Sequence, residues 1–75
     1  GLPHRAISVY MYLKDRADKN GTCYPSIGTI SNELKLSRNT VKRGINDLMK
    51  AGFIQKETRL RENGGRSSNL YRLMK

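Results

Sequence analysis

Asn39, Arg43, Asn46 and Lys50 stand three or four residues apart, and on a helical wheel of about 100° per residue they gather opposite Val41, Ile45 and Leu48. Lys42 flanks this polar side, and Arg38 and Thr40 fall in the same first turn as Asn39. The residue types suit one kind of chemistry. A guanidinium can bond bidentately to O6 and N7 of guanine, and a carboxamide to N6 and N7 of adenine. A merely solvated helix face would more often alternate Glu with Lys at i, i+4, whereas the only acid between Arg38 and Lys50 is Asp47. Helical spacing alone would pair Asp47 with Arg43.

Such a face needs a scaffold, and the chain supplies little more than one. Of its 75 residues 36% are hydrophobic, which leaves room for a single thin core. One histidine (His4) and one cysteine (Cys23) cannot build a structural zinc site or an internal disulfide. No nucleophile with its base and no phosphate-binding loop can be assembled, so the sequence predicts a non-enzyme without cofactor or metal. Its cysteine usage suits a reducing cytoplasm. No segment approaches the roughly 18 apolar residues of a membrane span.

The net charge is +9, and its placement is uneven. Residues 1–34 carry four basic residues against three acids, leaving +1; residues 35–75 carry eleven against three, leaving +8. Charge gathered in one half of a small domain is an electrostatic footprint for a polyanion.

The elements that would position the face follow from periodicity. Leu2, Ala6, Val9, Tyr10, Leu13 and Ala17 mark one side of a first helix, about 3–17. Asn20-Gly21 is a turn signal, and Thr22-Cys23-Tyr24 has the character of a very short strand. Ser26 can cap a second helix, about 26–34, with Ile27, Ile30 and Leu34 inward. Ser37 can cap a third, about 38–51, stopped by Gly52. Ser26 and Ser37 are candidates for phosphate contact as well as for capping, because a helix start also favours an anion. From Phe53 the pattern alternates, breaks at Asn63-Gly64-Gly65, and alternates again to Met74, which predicts an antiparallel hairpin over about 53–74. Arg59, Arg61 and Arg66 surround its turn and suit phosphate or a narrow minor groove.

Helix, short strand, helix, three-residue turn, helix and hairpin is the order of a winged helix-turn-helix, so the fold class expected is mainly α with a small β-hairpin. The runs Pro25-Ser26-Ile27 to Leu34, Leu36-Ser37-Arg38-Asn39-Thr40-Val41-Lys42-Arg43 and Gly64-Gly65 to Leu73 resemble the winged helix-turn-helix domains of bacterial mobile elements, plasmids and phages. The resemblance covers nearly the whole chain. It implies binding to double-stranded DNA, with the third helix in the major groove and the hairpin on the flanking backbone or minor groove. The resemblance leaves the use open; the use expected here is transcriptional regulation, or alternatively origin binding or partitioning in a mobile element's replication protein. A competitor from another class is a winged helix devoted to protein or RNA contacts. Further domains of a bacterial cytoplasmic parent protein are expected, and Ile7 and Met11, off the main stripe of the first helix, leave a homodimer open. Two departures stand out: Lys35 where the turn often has Gly, and Gly44 where Ala is commoner. Gly44 should cost about 1 kcal/mol relative to Ala unless it admits a close helix contact.

Overall fold

The fold is taken from a computed structural model that describes residues 1–58 and 69–74. Three helices, α1 (His4–Arg16), α2 (Ile27–Leu34) and α3 (Arg38–Lys50), enclose a core closed on one side by strands β1 (Thr22–Cys23), β2 (Ile54–Thr58) and β3 (Asn69–Leu73). The helices stop one residue inside the ranges that periodicity suggests, except at the end of α2 and the start of α3, where the two agree. Pro3, Ala17 and Ser26 have extended backbone, and Ala51 is the cap of α3.

Ala6, Val9 and Leu13 of α1 are fully buried against Val41, Ile45 and Leu48 of α3 and Ile30 of α2. Helices α1 and α3 lie close together at Gly44, where a Cβ would stand 3.0 Å from the backbone oxygen of Arg5 and 3.1 Å from Cγ2 of Val9. The glycine that weakens the helix locally is therefore what allows α1 to lie against α3. Asp47 does not pair with Arg43. Its carboxylate takes the Nε–H of Arg5 at 2.9 Å, because the same close approach brings α1 within reach.

The hairpin is part of a larger sheet. Its order is β1-β3-β2, both pairings antiparallel, so the last strand is central: Cys23 and Lys56 both face Tyr71 across the ladders, and Thr22 and Gln55 both face Arg72. Tyr71 and Ile54 are buried beneath the helices. Cys23 is a small buried hydrophobe, and burial pushes the pKa of its thiol up. Tyr24, expected to continue the short strand β1, lies just beyond it and is exposed. The turn into β1 is closed by Asp18, which accepts from the N–H groups of Asn20 and Thr22; the Thr22 N–H does most to hold its carboxyl below the usual range.

Helices α2 and α3 start with the same device. Ser26 Oγ accepts the Thr29 N–H at 3.0 Å and Ser37 Oγ accepts the Thr40 N–H at 3.1 Å. Between them α2 ends on Lys35, which is left-handed at φ 56° and donates its N–H to the Ser31 carbonyl, as does Leu36. For a side chain other than glycine that conformation costs about 1 kcal/mol. Lys35→Gly should accordingly raise the melting temperature by about 4 °C in a thermal melt followed by circular dichroism, given the response of domains this size. An unchanged or lower midpoint would show that the turn holds no such strain.

Candidate nucleic-acid interface

The polar side of α3 is a continuous exposed surface. Arg38, Asn39, Lys42, Arg43, Asn46 and Lys50 are exposed and Thr40 is half-buried, while Val41, Gly44, Ile45 and Leu48 are buried on the opposite side. The helix is amphipathic because its apolar residues fall three and four apart, and the core side then fixes which way the polar side looks. With Asp47 drawn to Arg5 on the α1 flank, the acid nearest to Arg43 in the helix is engaged elsewhere. That pair is partly exposed, so its worth lies in placement more than in stability.

Arg38 does not project freely from the start of α3. Its guanidinium lies across the first turn of α2, with Nη2 3.3 Å from the place a Cβ on Gly28 would take. Ser26, Thr29, Asn32 and Arg38 thereby line one shallow depression between the two helix starts. Ser26 and Ser37 are engaged as caps, and each also shares a hydrogen bond with a threonine hydroxyl, Thr29 and Thr40 respectively, at 2.8 Å. Arg59, Arg61 and Arg66 lie outside the described residues.

The opposite flank of α3 faces the sheet. Lys42 and Asn46 line a cleft of about 300 Å³ together with Lys56 of β2 and Asn69 and Tyr71 of β3. No motif in the sequence singles out Lys56 or Asn69. The available signal was the two-residue period of β2, which puts Lys56 on the same side as buried Ile54 and hence toward the helices. What the pattern could not show is that this side of the sheet runs out over α3.

Elsewhere the surface ties the helices together. Glu33 of α2 receives the Tyr12 hydroxyl and, at 2.6 Å, the Arg16 guanidinium, which also lies 5.0 Å from the centre of the Tyr12 ring. Tyr10 meets Phe53 edge-on at 5.5 Å, joining α1 to the start of β2. His4 is exposed. Among the described residues no helix is long and apolar enough to cross a membrane.

Two short helices set by a tight left-handed turn, a further helix α1 bracing them, an antiparallel sheet beside them and a basic face on α3 whose one nearby acid is turned away define a winged helix-turn-helix DNA-binding domain. Residues 1–54 match the family described as "Helix-turn-helix domain", and the chain belongs to that family. No curated protein sequence matches it. Among solved structures it is similar to a possible transcriptional regulator from Methanosarcina mazei Go1, with a TM-score of 0.72 and 20% identity over 99% of this chain. This chain spans 57% of the length of that one. At that identity the likeness speaks for the fold.

Proposed function

We propose that this chain is the DNA-reading module of a transcriptional regulator, binding double-stranded DNA with sequence preference. The observation that carries the reading is the α3 surface: six exposed cationic or carboxamide side chains on one side of a helix whose single acid is turned away to Arg5. In this reading α3 enters the major groove. Asn39 and Arg43 read base edges, with Arg38, Thr40, Lys42, Asn46 and Lys50 around them. Ser26 and Ser37 stand near phosphates through the helix starts they cap. Arg59, Arg61 and Arg66 hold the flanking backbone or minor groove. Regulation is the use named for the possible transcriptional regulator from Methanosarcina mazei Go1 that shares this fold.

Titration of the chain with random duplex DNA at low salt tests the reading. Binding should be measurable, and the logarithm of its affinity should fall linearly with the logarithm of salt concentration, with a slope of about −0.9 for each phosphate engaged. Selection from random duplexes should then return a defined site. No duplex binding at low salt would overturn the reading in favour of protein or RNA contacts.

A further inference from the structure

The cleft between α3 and the sheet is lined by two lysines and by no carboxylate. Lys42 comes from α3 and Lys56 from β2, and neither forms an ion pair with a described residue. Ile27, Ile45, Met49 and Tyr71 line the same cleft, apolar surface of the kind along which lysine stems lie with their charge outward. The acid of the neighbouring strand position, Glu57, points to the other side of the sheet, where it meets Arg72 at 3.4 Å. Two like charges on the lining of one cleft repel each other, and a bound anion relieves both at once. Asn46 and Asn69 add carboxamides to the rim, and the Asn69 amide is already engaged with the Tyr71 hydroxyl.

The wheel of α3 sets Lys42, though not Asn46, apart from the outward side. Asn39, Arg43 and Lys50 centre on the outward direction, whereas Lys42 lies about 60° or more round toward the sheet. We infer that the cleft is a seat for one phosphodiester group of the bound DNA strand, clasped between Lys42 and Lys56 with Asn46 beside them. Lys42 then positions α3 on the backbone and does not read bases, and Lys56 is a contact residue of the sheet distinct from the arginines around the hairpin turn. The inference rests on the DNA-binding reading above and specifies how one flank of the helix is anchored.

The test uses K42Q, K56Q and the double variant with the tightest-binding duplex recovered from a random pool. Each single substitution should weaken binding about tenfold and lessen the salt slope by about 1. Neither should change which bases are preferred. Because one phosphate is lost only once, the double variant should lose less than the product of the two single losses. A scan of neutral methylphosphonates along the duplex should find one position that weakens the unsubstituted chain yet leaves the double variant indifferent. Full multiplication of the single losses, or different sensitive positions for the two variants, would place the lysines on separate phosphates and overturn the shared seat. Unchanged affinity in both single variants would overturn it outright. Inorganic phosphate should compete no better than chloride at matched ionic strength; better competition would make the cleft a site for a free anion instead. Failure of the unsubstituted chain to bind any duplex would strike the DNA-binding reading itself. Melting curves of the variants should match that of the unsubstituted chain, since both lysines are exposed.

Discussion

Gly44→Val should lower the stability of the domain by about 3 kcal/mol or more, enough to leave much of it unfolded at room temperature. The space is not there. A Cβ at position 44 already stands 3.0 Å from the Arg5 backbone oxygen, which belongs to the rigid body of α1 and cannot rotate away as a side-chain tip could. The two further methyl groups of valine would drive into the same wall, beside Val9, at the centre of the α1–α3 contact. Overpacking of this kind costs about 1 to 3 kcal/mol in larger cores, and a core this small often supplies only about 3 to 5 kcal/mol of net stability. Gly44→Ala is the sharper comparison. Alanine gains about 1 kcal/mol in helix propensity, so a net loss on thermal melting would mean that the displaced helix outweighs that gain. A higher melting temperature for Gly44→Ala would show that α1 can slide aside without cost.

Arg43→Ala should cost about 1 to 3 kcal/mol of binding to the preferred duplex and relax the sequence preference at the base pair it contacts. Arg43 is exposed near the middle of the outward side of α3, and Asp47, four residues on, is committed to Arg5. In the proposed complex its guanidinium would enter the groove without first having to leave Asp47. Arg61→Ala supplies the contrast. A residue that holds the backbone contributes similarly to every sequence, so that variant should weaken preferred and random duplexes alike. Equal losses on both duplexes from both variants would contradict the division of roles, and isothermal titration of four protein–duplex pairs is sufficient to see it.

Much of the scaffold was legible because its signals are local. Ser26 and Ser37 announce their helices by type and position, and Ala6, Val9, Leu13, Val41, Ile45 and Leu48 announce the buried sides by spacing alone. Gly44 was legible as an anomaly whose resolution, a close helix contact, needed the fold. What escaped was non-local. Helical spacing favours Asp47 beside Arg43, yet the carboxylate goes to Arg5, 42 residues away in sequence, because the α1 backbone is pressed against Gly44. Tyr24 has the composition of a core residue but lies just beyond β1, where nothing covers it among the described residues. The outward polar side of α3 could be read from a wheel. Its division into a groove-facing part and a sheet-facing part could not, because the second part exists only where Lys56 and Asn69 arrive from strands that follow later in the chain.

The central place of β3 has a kinetic meaning. β1 and β2 are not neighbours, and among the described residues each pairs with β3, the last of the described elements in chain order. Helices α1 to α3 can form and dock from contacts available early, but the sheet has nothing to assemble on until residues 69–73 are present. Closure between Thr22 and Arg72 spans 50 positions, and the entropy of closing so long a loop is lost before its contacts can offset it. During synthesis α3 therefore emerges before the strand that completes the cleft beside it.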